Sequence, residues 1–139
     1  LSQFEQAVTD LHKRNIPVIT HLILGLPGET KEDMLSSVRY VGSLPVTGIK
    51  LQLLHILKGT YLGTAYMADP FPLFTLEEYC DLIADCIALL PPEIVIHRLT
   101  GDGPRNLLLA PLWSTDKKRV LNTIQKCLRE RDLWQGKNI

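Results

Sequence analysis

The sequence predicts an α/β fold with parallel strands, the C-terminal portion of a partial β/α TIM-type barrel. Helical and strand patterns alternate along its 139 residues, which is typical of parallel strands joined by helical crossovers. The predicted strands are apolar on both faces, so we expect a sheet covered on both sides or closed into a barrel. About three strands alternate with four helices, and three strands cannot close a barrel.

The chain is expected to form one domain over residues 1–139, or a fragment of a larger one. It begins at Leu1 rather than Met, and a helical pattern starts at once. Three parallel strands also leave two sheet edges for further strands. We therefore expect the N-terminal part of the same parent barrel to be the partner of this chain.

The helices follow from apolar stripes at helical spacing and from their end signals. They are predicted over residues 2–14, over 31–44 up to Pro45, from Thr75 up to Pro91, and from a Ser114 cap onward. Thr75 is followed by Glu78 three residues later, the spacing of a capping box. Thr30 and Asp33 have a similar spacing.

The strands are predicted from runs rich in Val, Ile and Leu, at residues 16–24, 49–57 and 93–97. Residues 58–74 and 101–112 are predicted as loops. On the second strand, alternation puts Gln52 on one face and His55 on the other. Which of these faces lines a barrel is not decided by the pattern.

Composition favours a globular cytoplasmic protein without a membrane span. No apolar run approaches the ~18 residues that a transmembrane helix needs. Fifteen basic and fifteen acidic side chains give a formal net charge of zero, which argues against duplex DNA binding by bulk charge. Basic residues near the C-terminus are interpreted as a solvated helix face, namely Lys117, Lys118, Arg119, Lys126, Arg129 and Arg131.

Three cysteines, Cys80, Cys86 and Cys127, are odd in number and widely spaced. This pattern favours free thiols in a reducing cytoplasm over a disulfide framework. Cys80 and Cys86 lie on different faces of one predicted helix and cannot ligate one iron–sulfur cluster together. We interpret all three as packed helix residues.

The stretch H-L-I-L-G-L-P-G-E-T, residues 21–30, joins a predicted strand to a predicted helix. Ligands of parallel α/β folds bind at the carboxyl ends of strands, and Gly25 would let a ligand rest against the backbone. A capped turn that binds nothing is an equal alternative. The stretch matches neither the dinucleotide fingerprint nor the phosphate-binding P-loop.

Other polar residues near the predicted strand ends are binding candidates. His55 and Lys58 could meet a polar substrate, while Gln52 is either a core residue or a pocket group. Arg98 and Arg105 flank the G-D-G-P turn, where they either bind an anion or pair with Asp102.

Two further patterns have structural interpretations that we prefer. His21, His55 and His97 lie on three strands at different levels, so isolated histidines are favoured over a metal site. Trp113 is expected to fasten the last helix rather than to stack on a base.

Three segments in order carry a family resemblance. I-L-G-L-P-G-E-T resembles the turn after the fifth strand of radical S-adenosylmethionine (SAM) enzymes, such as methylthiotransferases, oxygen-independent coproporphyrinogen oxidases and the Elongator catalytic subunit. I-K-L-Q-L-L-H-I-L-K-G-T resembles their sixth strand. I-V-I-H-R-L-T-G-D-G-P-R-N-L-L-L-A-P-L-W, together with H-I-L-K-G-T, is similar to the YhcC family of uncharacterised radical-SAM proteins.

The resemblance implies S-adenosylmethionine and a [4Fe-4S] cluster as cofactors of a full-length parent. It implies cofactor contacts at Ile23, Gly25, Leu26, Gly28, Glu29 and Gln52, and makes His55 and Arg98 substrate candidates. Reductive cleavage of the cofactor would give a 5′-deoxyadenosyl radical that abstracts hydrogen from a small molecule or an RNA. The cluster-binding C-x-x-x-C-x-x-C loop is absent from this sequence, so we expect that loop upstream and no activity from this segment alone.

Two alternatives belong to other classes. The first is a non-catalytic α/β module that binds an anion or nucleotide at the residue 25–30 turn. The second is an aldolase-like barrel enzyme with Lys58 or Lys50 as a Schiff-base lysine, which would need a buried, reactive amine.

Overall fold

A computed structural model describes residues 1–101 and 103–139. Its helices are α1 (Ser2–Lys13), α2 (Lys31–Gly42), α3 (Tyr61–Ala68), α4 (Leu76–Leu89) and α5 (Lys117–Glu130), with a 3₁₀ helix at Leu112–Thr115. Its strands are β1 (Ile19–Leu24), β2 (Gly48–Leu53), β3 (Ile56–Leu57), β4 (Val95–Arg98) and β5 (Leu108–Ala110).

The main sheet has the order β1-β2-β4, and both of its strand pairs are parallel. Ile19 lies opposite Gly48 and Leu24 lies opposite Leu53. On the other side of β2, Gly48 lies opposite Val95. The predicted α/β class with three parallel strands is therefore confirmed, and the sheet is consistent with part of a β/α barrel.

The two faces of this sheet have different surroundings. On one face, Ile49 and Leu51 are fully buried in a core that includes residues of α1, α2, α4 and α5. On the opposite face, Ile19, Ile23 and Val95 are 42%, 50% and 58% exposed. Within the described residues, the helices cover one face and the other is open. Of the two predicted alternatives, a sheet covered on both sides therefore does not apply, and part of a barrel fits.

The predicted second strand, residues 49–57, is divided into two. β2 ends at Leu53, and after a break the chain forms β3, which pairs antiparallel with β5. Leu54 and Ile56 are buried with Ala110 in a small second core. The predicted alternation therefore fails after Leu53, because the chain leaves the main sheet there.

The segment predicted as a loop over residues 58–74 contains helix α3, which packs beside β3. Thr60 caps this helix, since its side chain accepts a hydrogen bond from the Gly63 N–H at 2.9 Å. The described residues thus contain five α-helices instead of the predicted four.

Helix caps were predicted correctly at two of three positions. The capping boxes of Thr30 with Asp33 and of Thr75 with Glu78 are both present. The prediction that Ser114 caps the last helix is wrong. Ser114 lies in the 3₁₀ helix and donates to the Pro111 carbonyl at 2.7 Å, while Asp116 caps α5.

A network of ion pairs connects α2 with α4 and with the end of α5. Lys31 Nζ lies 2.6 Å from Asp85 Oδ2 and 3.4 Å from Asp81 Oδ2. Arg131 binds both aspartates from the other side. Arg131 is therefore engaged in holding helices together, unlike the solvated residue that we expected. Among the described helices, none is long and apolar enough to cross a bilayer.

Candidate functional site

The turn after β1 has a conformation that its glycines make accessible. Gly25 and Gly28 have φ angles of +85° and +83°, a region that residues with a Cβ rarely adopt. Glu29 fixes the turn, because its Oε2 accepts a hydrogen bond from the Leu26 N–H at 3.0 Å. Thr30 follows at once as the cap of α2.

A cavity of about 570 Å³ lies between this turn and residues 71–74. Four of the predicted cofactor contacts line it, namely Gly25, Leu26, Gly28 and Glu29. We call it the turn cavity. A Cβ on Gly25 would lie 2.9 Å from the Phe74 ring. The side of Gly25 where we expected a ligand is thus occupied by Phe74, and a ligand would need the other side of the backbone.

A second cavity, of about 340 Å³, lies at the carboxyl ends of β1, β2 and β4. It brings together Ile23, Gln52, His55 and Arg98, which are the remaining predicted cofactor and substrate residues. We call it the strand-end cavity. Because the chain turns after Leu53, His55 lines the same cavity as Gln52 and does not lie on the opposite face. The predicted residues therefore form two groups of four, around two cavities.

Two glycines after β4 hold the His55 ring closely. A Cβ on Gly101 would lie 2.2 Å from His55 Cε1 and Nε2, and one on Gly103 would lie 2.6 Å from Nδ1. Neither position can carry a side chain while the ring stays in place. The sequence patterns did not predict this role. The signal was the G-x-G spacing three residues after the end of a strand, where backbone and ligand-binding side chains approach each other.

Gln52 lies on the open face of the sheet and is half-buried. Its Nε2 is 3.5 Å from His21 Nδ1, which is too long for a strong hydrogen bond. The amide therefore keeps most of its capacity to bind a ligand. Lys50, two residues earlier on the same face, is half-buried, whereas Lys58 lies exposed in the turn after β3. Lys58 therefore lacks the burial that a Schiff-base lysine needs.

The histidines and cysteines do not come together in the described part of the chain, where no group of three metal-binding side chains is found. His97 lies against Gly48, whose Cβ would be 2.6 Å from the ring. Cys80 and Cys86 are buried, and burial raises the pKa of each thiol to about 12. Since metals bind the thiolate, these two residues are poor candidates for cluster ligands.

Trp113 packs at the start of α4, whereas we expected it to fasten the last helix. Its indole N–H donates to the Phe74 carbonyl at 3.0 Å, and its ring lies 5.6 Å from that of Tyr79. Arg105 donates to the Thr115 carbonyl at 3.0 Å. The predicted alternative, a pair with Asp102, lies outside the described residues.

Comparison with known proteins identifies the family to which this chain is related. The sequence model of the Radical_SAM C-terminal domain matches residues 46–130. The uncharacterised protein YtqA of Bacillus subtilis (strain 168) is 40% identical over 134 residues, 96% of this chain and 42% of that protein. Protein YhcC of Escherichia coli (strain K12) is 36% identical over 126 residues, 90% of this chain and 41% of that protein.

More distant similarities cover the same region. A tRNA uridine(34) acetyltransferase of Dehalococcoides mccartyi (strain CBDB1) is 27% identical over 141 residues, 95% of this chain and 31% of that protein. The structure of archaeal Methanocaldococcus infernus Elp3, with residues 1–46 deleted, superposes with a TM-score of 0.77 at 17% identity. That match covers 96% of this chain and 32% of the other, and it supports the fold.

The chain spans less than half of the length of each of these relatives. The family match itself covers more than half of the chain, including β2, the His55 region and α5. The chain belongs to the radical SAM family, as a C-terminal domain of that family.

Proposed function

We propose that this chain is part of a radical SAM enzyme and that its strand-end cavity binds S-adenosylmethionine and part of the substrate. The observation that supports this most directly is the meeting of Ile23, Gln52, His55 and Arg98 around one cavity. The cavity lies at the carboxyl ends of parallel strands, where enzymes of β/α architecture bind their ligands.

The residues of the cavity fit the cofactor in chemical type. Ile23 offers a half-exposed apolar surface for the adenine ring, and the Gln52 amide can both donate to and accept from the edge of a base. Arg98 carries a guanidinium, which suits a carboxylate or phosphate group. The buried thiols of Cys80 and Cys86 do not fit an iron–sulfur cluster, so no step is assigned to a cluster in this chain.

Given one electron by a reductant outside this chain, bound S-adenosylmethionine would supply a 5′-deoxyadenosyl radical, with methionine released, and that radical would abstract hydrogen from the substrate. In this chain, the residues around it would orient the ligands and exclude water. Leu54 and Leu57 form apolar parts of the cavity wall. His55, held between Gly101 and Gly103, would present its imidazole to a polar group of the substrate.

The turn after β1 would act indirectly. Glu29 and the two glycines fix the exit of β1, so they set the position of Ile23 two residues before Gly25. This is a positioning role for Gly25, Gly28 and Glu29, and direct contact of these residues with the cofactor stays a prediction.

The proposed partner is the N-terminal part of the parent barrel. Within the described residues, β1 and β4 each have one edge without a neighbouring strand, where further barrel strands would pair. The activity would then need both parts, in a reducing, cytoplasmic setting. The substrate that we propose is RNA, since one relative carries the name of a tRNA-modifying enzyme.

The first test uses the full-length parent protein, prepared anaerobically with iron and sulfide and then reduced. We expect a [4Fe-4S] electron paramagnetic resonance signal that changes when S-adenosylmethionine is added. Gln52→Ala and Ile23→Ala should each weaken binding of the cofactor about tenfold, the loss expected for one good contact of about 1.4 kcal/mol.

The matched control is Val95→Ala, an exposed apolar position on the same sheet face that does not line the cavity. It should leave cofactor binding unchanged. A folded protein without a cluster that binds phosphate or nucleotide would instead favour the non-catalytic binding module. An adduct trapped by borohydride at Lys50 would favour the aldolase-like alternative.

A further inference from the structure

Positive charge is concentrated in one segment of this neutral chain. Residues 103–129 carry six of the fifteen basic side chains and one of the fifteen acidic ones, a formal charge of +5. The rest of the chain therefore carries a formal charge of −5. We expected five of these six cations to form a solvated helix face, and Arg105 to bind an anion or pair with Asp102. The structure places several of them along a series of neighbouring hollows.

The strand-end cavity continues into three neighbouring hollows. It shares His55, Gly101 and Gly103 with a hollow of about 210 Å³ that Arg105 and Lys117 also line. Those two cations also border a third hollow, of about 460 Å³, which includes Lys118.

The last hollow has a volume of about 410 Å³ and shares Lys118 with the third. Its other cations are Arg119 and Lys126. The connected surface is thus a groove that runs from the strand-end cavity along α5. We call it the cationic groove and define it by Arg105, Lys117, Lys118, Arg119 and Lys126.

Among the described residues that line this groove, cations outnumber acidic residues. Asp116 is the acidic residue in that lining, and its carboxylate accepts a hydrogen bond from the Arg119 backbone N–H as the cap of α5. Lys126 lies 3.7 Å from Glu130, with both side chains about two-thirds exposed, and such exposed pairs contribute little. Three cations also occupy the first turn of α5, where the helix dipole disfavours them.

We propose that the cationic groove binds the phosphate backbone of a single-stranded RNA segment, one nucleotide of which reaches the strand-end cavity. A row of cations with separate hollows suits a flexible strand, whose phosphates follow the groove while its bases turn aside. The position of the reacting nucleotide rests on the proposed function, whereas the binding of the strand does not.

The test measures fluorescence anisotropy of a labelled, mixed-sequence RNA of about 20 nucleotides, with full-length protein and without added S-adenosylmethionine. We expect binding that weakens with salt, with a slope of about −0.7 per phosphate contact. Lys118→Glu combined with Arg119→Glu should weaken binding about tenfold or more and reduce the slope by about 1.4.

The matched control combines Lys13→Glu with Arg14→Glu, which changes the net charge equally at the exposed end of α1. It should bind RNA as the unchanged protein does. The groove variant should fold, because acidic residues are favoured in the first turn of a helix. Circular dichroism checks this, and calorimetric binding of S-adenosylmethionine should be unchanged in both variants.

Four results would contradict the binding of single-stranded RNA by the groove. The first two are RNA binding that survives the groove substitutions and an equal loss of binding in the control variant. The other two are equal affinity for duplex DNA or polyglutamate of the same length, and a preference for anionic lipid vesicles. If Gln52→Ala loses cofactor binding while RNA binding stays intact and still depends on the groove residues, the result supports RNA binding by the groove. Cofactor binding that is insensitive to Gln52 and Ile23 would refute the proposed cofactor site and leave the groove standing.

Discussion

Large aliphatic residues lie on both faces of the central sheet, but the two faces have different surroundings. Leu51 on the helix-covered face is fully buried, whereas Ile23 on the open face, in the neighbouring strand, is 50% exposed. Both are large aliphatic residues on parallel strands. The covered face forms the core that holds the chain together, while the open face carries Gln52 and leads to the strand-end cavity. An apolar residue in a strand therefore does not reveal whether it serves stability or a site.

The largest expected effect tests this difference directly. Leu51→Ala should lower the free energy of unfolding by about 2–5 kcal/mol, because it opens a cavity in a filled core. Ile23→Ala should lower it by less than about 1 kcal/mol, since half of that side chain is already in contact with water. Urea denaturation of both variants measures the two values. Equal losses would mean that the open face is as important for folding as the covered one.

A smaller effect is expected at the turn that joins β1 to α2. Gly25→Ala should destabilise the protein by about 1–3 kcal/mol. Alanine disfavours the positive φ at this position, and its Cβ would clash with the Phe74 ring. Gly28→Ala is the control, because its φ is also positive but no atom lies within 4 Å of its Cβ. Its cost should be about 1 kcal/mol. If thermal unfolding shows equal losses, the contact with Phe74 does not restrict the turn.

The smallest effect concerns the helix caps on the covered side and depends on pH. Hydrogen bonds from the Thr30 side chain and backbone lower the pKa of Asp33, and those from the Thr75 backbone and side chain lower the pKa of Glu78. A carboxyl with a lowered folded-state pKa stabilises the fold above its ordinary pKa, 3.8 or 4.5. That stabilisation is lost as pH falls through the folded-state value.

Denaturation midpoints measured while the pH is lowered from about 6 to 3 should therefore fall. The decline should be smaller in Asp33→Asn and Glu78→Gln. Ser36→Ala, an exposed change later in α2, should leave the pH dependence as it is. An unchanged pH dependence in both cap variants would show that these carboxylates do not control the acid sensitivity.

Sequence patterns predicted those parts of the fold that local chemistry determines. The capped starts of α2 and α4 and the three parallel strands follow from capping residues and hydrophobic runs. Helix α3 was missed because its apolar residues follow no helical stripe, although Thr60 offered a cap signal. Strands β3 and β5 are two and three residues long, and only their pairing identifies them.

The residues of the candidate site were also predictable from the sequence only in part. The turn residues follow from the glycines and Glu29, whose contacts are local. The meeting of His55 with Gln52 and Arg98 could not be predicted, because it depends on the break after Leu53 and on two glycines almost fifty residues further along. The open face was hard to predict for another reason. Its Ile19 and Ile23 are aliphatic like the residues of the covered face, although polar residues such as Gln52 lie beside them.

The pairing of β3 with β5 has a consequence for how the molecule opens. It joins Ile56 to Ala110, and closing so long a loop costs entropy. Among the described residues, three buried side chains form the core beside this pair, against twenty in the main core. Local unfolding therefore begins more readily at this corner than in the main sheet. Since this corner carries part of the strand-end cavity wall, we expect that wall to open locally at a lower free-energy cost than the helix-covered core.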